Sequence, residues 1–136
     1  MLHIQSNNIE QELIAFVQSW FNLIAQGHIN EACNKLDKPN CYGIKWDAKK
    51  INELINDEFN PETLFGSSHP EGIAFSSVSE TRGKFRADVL KFDDGSGYSV
   101  EHDVPLNGEW SDLTAQFEFI GELPEFEAIL HDLHVL

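Results

Sequence analysis

The residues able to do chemistry are few, and their spacing limits what they can do together. Tyr98 and His102 stand four apart in the alternating stretch Tyr98 to Leu106, so they share one strand face with Val100 and Val104. On a face that lines a pocket, His102 would serve as a general base and Tyr98 as a hydrogen-bond donor. Residues four apart on a strand are about 13 Å apart at the Cα, so the two could touch one ligand only from opposite ends. Asp103 points to the other face and cannot orient the imidazole. The alternative is a structural histidine whose ring nitrogens are satisfied internally.

A second group is Trp110, Ser111 and Asp112, directly after an Asn107-Gly108 turn signal. An exposed indole beside a carboxylate could frame a ligand or a partner. Alternatively Trp110 closes the end of the core while Ser111 and Asp112 bond their own backbone at a bulge. A third group is Glu127, His131 and His134. On a helix they would lie at i, i+4 and i+7 and could hold a metal; on a strand His131 and His134 are expected on opposite faces, and that site disappears. Cys33 and Cys41 have no partners at metal-ligand spacing and no paired histidine. Ser96 and Ser99 lack a nucleophile-elbow context, and Gly95 and Gly97 make a turn rather than a phosphate cradle. Trp20 and Trp46 read as core or core-edge residues, Trp20 bordering any pocket between the first helix and the sheet. The candidate pocket or binding residues are therefore Tyr98, His102, Trp110, Asp112 and Trp20, with no metal and no cofactor expected.

These residues must be positioned by a single domain. The chain has 136 residues, 41 % of them apolar and 24 % charged, which excludes disorder and suits one core. No apolar run approaches the roughly 20 residues that cross a bilayer. The N-terminal residues have no basic start and apolar block, so no secretory signal is expected, and Cys33 and Cys41 read as a reduced cytoplasmic pair. The formal net charge is −14, and no Lys or Arg follows Lys91. Nucleic acid is thereby a poor partner. The acidic last third reads either as a solubilising surface or as a face that steers a basic protein.

Helical spacing dominates the first part, residues 7–60. Ile9, Leu13, Phe16, Val17, Trp20 and Ile24 predict a first helix, capped by Asn7 and stopped at Gly27. A short helix is expected from Ile29 to Leu36. A third, capped by Asp47, carries Ile51, Leu54, Ile55 and Phe59 on one face and ends at Pro61. Strands fill residues 72–136: Ile73 to Val78, Lys84 to Phe92, Tyr98 to Leu106 and Glu109 to Ile120. Leu90 and Phe92 break the phase of Phe85, Ala87 and Val89, which predicts a bulge or a strand buried on both faces. Pro105 implies an edge or bulge, and Asn107-Gly108 a type I′ hairpin. Residues Phe126 to Val135 fit a helix entered at Pro124, or a strand. The architecture is α+β, three N-terminal helices packed on a curved antiparallel sheet.

Helices first and a curved meander after, with the run Phe16 to Cys33 in which an amphipathic helix ends at Gly27 and a short helix follows, resembles the nuclear-transport-factor-2-like (cystatin-like) superfamily. The segment Pro105-Leu106-Asn107-Gly108-Glu109-Trp110-Ser111-Asp112-Leu113-Thr114, with the ending Asp132-Leu133-His134-Val135-Leu136, is similar to a family of small uncharacterised bacterial proteins. The resemblance implies a cone-shaped fold ending in a sheet strand. It also implies either an enzyme using Asp, His and Tyr inside the cone, as dehydratases and isomerases of that superfamily do, or a non-enzymatic member. No catalytic motif of the superfamily maps onto this chain, and the first helix has no Tyr, Asp or His on its apolar face. The expectation is a non-enzymatic binding protein, immunity-like in blocking a basic protein partner. The alternative is a cone with a small-molecule pocket between the first helix and the sheet. Pairing of two copies through their sheets would make a homodimer.

Overall fold

The computed structural model describes residues 1–5, 7–40, 42–58 and 74–135. Its elements are β1 (Leu2–His3), α1 (Ile9–Ala25), α2 (Ile29–Asn34), α3 (Ala48–Glu58), a 3₁₀ turn (Val78–Glu80), β2 (Ala87–Lys91), β3 (Gly97–Leu106), β4 (Glu109–Glu122) and β5 (Glu125–Val135). The fold is α+β: among the described residues, three helices and a curled antiparallel sheet in the order β1-β5-β4-β3-β2. The expectations for Cys41, Phe59, Pro61 and the start of a strand at Ile73 lie outside the described residues.

Helix α1 forms where the spacing predicts and buries Leu13, Val17, Trp20 and Phe21. Its N-cap position is Asn8, one residue after the expected Asn7. It stops at Gly27, whose φ of 86° only glycine adopts freely. The Gly27 amide donates to the Ile24 carbonyl and the His28 amide to that of Leu23, the double bond of a Schellman ending. Helix α2 ends at Asn34, short of Leu36. Asp47 caps α3 as expected: its Oδ1 accepts from the Lys50 amide at 2.8 Å.

The final segment is a strand. Phe126, Ala128, Leu130 and Leu133 all point into the core. Pro124 stands in the β4–β5 turn, so the helical reading of this segment is set aside. The β3–β4 hairpin turns at Asn107 and Gly108, with φ of 51° and 80°, as a type I′ turn demands. The register shifts between Asp103 and Pro105, where three residues of β4 oppose Val104. Ser111 holds that bulge: its hydroxyl donates to the Val104 carbonyl at 2.7 Å and accepts from the Leu113 amide at 3.2 Å.

Two strand expectations need correction. Between Ala74 and Val78 there is one bridge, Phe75 to Leu106, and then the 3₁₀ turn. The Asn22 side chain of α1 accepts from the Val78 amide at 2.8 Å, and Thr81 Oγ1 donates to the Ser77 carbonyl. Those bonds fold the backbone away from a ladder. β2 pairs with β3 from Ala87↔His102 to Lys91↔Tyr98 without a register shift, so it has no bulge there. Its phase break has another cause: β2 is an edge strand, and Leu90 simply points outward at 65 % exposure.

The free side of β5 is closed by the segment between α2 and α3. Asp37 exchanges two bonds with Ala128, the Trp46 indole donates to the Leu130 carbonyl, and the Asn40 amide donates to that of His131. An edge that would otherwise invite another strand is covered by side chains.

Candidate functional site

The concave face of the sheet is packed with rings. Trp20 meets Phe117 edge-on at 5.3 Å, Phe16 meets Phe119 at 5.5 Å, and Phe117 and Phe119 lie parallel. Phe75 closes against Trp20 and Phe21. Trp20 is fully buried, and its indole donates to the Ala32 carbonyl at 3.0 Å, tying α1 to α2. It is a core residue, as the spacing suggested.

His102 is also fully buried on this face. Its Nδ1 lies 2.8 Å from the Asp103 carbonyl, which can only accept, so Nδ1 carries the proton. Nε2 is then an acceptor, and the Gln18 amide donates to it across 3.2 Å. Both nitrogens are satisfied in the neutral ring. Burial pushes the His102 pKa below the usual histidine range; the hydrogen bond to the Asp103 carbonyl and the Asp103 carboxylate oppose this more weakly. With both nitrogens engaged, His102 offers its ring faces and no free base.

Three aromatic side chains complete the surroundings. Phe85 stacks on the imidazole at 4.7 Å and 17°, Phe21 meets it edge-on at 5.3 Å, and Trp110 leans against it at 5.7 Å. Of the sequence candidates, the fold thus unites His102 and Trp110. Tyr98 is elsewhere: it packs on Phe126 and borders a groove of about 340 Å³ with Ile9, Lys91 and Leu123. Asp112 is exposed beyond the Ser111 bulge. Gln18 and Phe85 were missed as site residues. Gln18 had a signal, being a polar residue three positions before Phe21, whose ring also reaches His102.

The convex face is where the charge lies. Asp88, Glu101, Gln116 and Asp132 pair across β2, β3, β4 and β5, giving one transverse row with three carboxylates. Asp103 and Glu118 extend it on β3 and β4. Arg86 Nε lies 3.8 Å from Asp88, at the row's end. The expectation that His131 and His134 point to opposite faces is corrected here. A register shift in β5 puts Leu130 and Leu133 inward with two residues between them, so His131, Asp132 and His134 all reach the convex face. His131 Nδ1 lies 3.1 Å from Glu118, and His134 Nδ1 lies 3.4 Å from Asp132. Among the described residues no group of three metal-ligating side chains converges and no helix is long and apolar enough to cross a membrane.

No family model, no curated protein and no solved structure matches the chain.

Proposed function

We propose that the protein is a non-enzymatic binding module whose convex sheet face takes a basic protein partner. The observation that carries this reading is the carboxylate row. Asp88 and Glu101 are opposite each other on neighbouring strands, an arrangement that costs stability when like charges face. A solubilising surface has no need of an in-register row, whereas a partner's Lys or Arg side chains would neutralise it. The satisfied nitrogens of His102 and the ring-filled concave face favour binding over catalysis. The element order supports the cystatin-like cone, and an immunity-like inhibitor acting in the cytoplasm is the form of binding protein that fits.

The test is affinity capture with the wild type and with an Asp88→Asn, Glu101→Gln, Asp132→Asn variant. A strongly basic protein should be retained by the wild type, released by salt and lost with the variant. Retention that is indifferent to salt and to the three substitutions would overturn the reading.

A further inference from the structure

We propose that Phe85 is the displaceable cover of a binding site for one flat, neutral aromatic ring carrying a hydrogen-bond acceptor. The His102 imidazole face would form its floor and the Trp110 indole its wall and donor. This does not depend on the partner proposed for the convex face.

Three independent observations lead to it. The first is the cover itself. Phe85 shields the fully buried His102, yet it is 42 % exposed, one of the few large apolar side chains so placed. The second is how the cover is held. The Arg82 amide donates to the Gly108 carbonyl, and the Arg86 amide donates to Asp103 Oδ2 at 2.8 Å. Between these anchors run Gly83, Lys84 and Phe85, and among the described residues no hydrogen bond engages the backbone of Lys84 or Phe85. Gly83 has a φ of 87°, with open space where a Cβ would stand. Phe85 therefore sits on a short strap that can swing without breaking backbone bonds, the property expected of a mobile segment. The third is Trp110. Its Nε1 is buried and has no hydrogen-bond partner, in contrast to the indoles of Trp20 and Trp46. A buried donor left without an acceptor is an uncompensated cost of the covered state.

These features also set the ligand chemistry. The space that Phe85 would vacate has the shape of one ring, stacked on His102 and flanked by Trp110 at 5.2 Å. Phe21, Gln18 and a neutral histidine carry no charge; the Asp103 carboxylate, which acts on His102, repels an anionic ring, and burial outweighs its attraction for a cationic one, so a neutral ring fits. An acceptor on a neutral ring, such as an amide or ketone oxygen, could accept from Trp110 Nε1 and remove the orphan.

The test uses the full, isotope-labelled chain and benzamide as the probe, with cyclohexanecarboxamide as the control that has the amide but no flat ring. Benzamide should shift the Trp110 indole N–H resonance downfield in a saturable way and abolish the nuclear Overhauser contact between the Phe85 ring and His102. The cyclohexane amide should do neither. Trp110→Phe should weaken benzamide binding about tenfold, the loss of one hydrogen bond. If that variant does not fold, the wild-type titration decides alone. A Phe85–His102 contact that persists while the Trp110 signal stays fixed would overturn the proposal, as would equal shifts from both amides.

Discussion

The side-chain amide of Gln18 on α1 donates to His102 Nε2 on β3, a 3.2 Å bond between residues 84 apart in the chain. It joins the long helix to the sheet beside the rings of Phe21, Phe85 and Trp110. In this arrangement the imidazole is neutral, since a protonated Nε2 would require the Gln18 amide to turn its oxygen inward.

Stability should therefore fall in mild acid. The His102 pKa is lowered in the folded state, so below about 6.5, the unfolded histidine value, the unfolded chain binds the extra proton. The stabilising contribution is complete above that pH and is lost as pH falls toward the folded pKa, at no more than about 1.4 kcal/mol per pH unit. Urea unfolding of the wild type and His102→Gln at pH 8 and pH 5.5 isolates it: the variant should lose less stability between the two. Parallel losses would show that His102 does not titrate on unfolding.

Ser111→Ala should cost about 1–3 kcal/mol, because the buried hydroxyl serves both sides of the β4 bulge and its removal leaves the Leu113 amide unpaired. Thermal unfolding measures this. Asp112→Ala, one residue on and exposed, should be near neutral. Equal effects at the two positions would mean that Ser111 does not hold the bulge.

Gly97→Ala should be severe. A Cβ at Gly97 would stand 2.0 Å from the Phe119 carbonyl oxygen, where β3 and β4 pair. The strands cannot separate there without breaking their ladder, so about 3 kcal/mol or more should be lost. Gly95→Ala, two residues away, meets nothing within 4 Å and bears only the strain of its φ of 75°. A Gly97→Ala protein with the wild-type denaturation midpoint would refute the steric account.

Local signals located most of these elements. The α1 stripe, the Gly27 stop, the Asp47 cap, the Asn107-Gly108 turn and the Ser111 bulge are each decided within a few residues, so spacing reveals them. The failures are tertiary. The alternation from Ile73 to Val78 predicts a strand, but among the described residues the Asn22 side chain on α1 takes the Val78 amide and a 3₁₀ turn follows. Leu90 reads as buried unless β2 is known to be an edge. His131 and His134 reach one face only because β5 slips against β4, a shift set by Leu130 and Leu133 both packing inward. The pairing of His102 with Trp110 was invisible for a similar reason: it depends on the hairpin returning the chain, whereas the sequence made Tyr98 the natural partner.

Glu101→Gln should make the fold more stable and the partner complex weaker. Glu101 faces Asp88 directly across the β2–β3 pair, and relieving such a like-charge pair should gain a few tenths of a kcal/mol, Arg86 at 3.8 Å from Asp88 already screening part of the repulsion. The gain should shrink in high salt, since both groups lie on the convex surface. A residue that lowers stability where a neutral isostere would serve is kept for something other than the fold. On the reading proposed above, the same substitution removes one of three charges in the row and slows association with a basic partner. Denaturation at low and high salt gives the first quantity, and association rates with the captured partner give the second. If Glu101→Gln leaves stability unchanged at low salt, the two carboxylates do not repel and the row imposes no cost that function would have to explain.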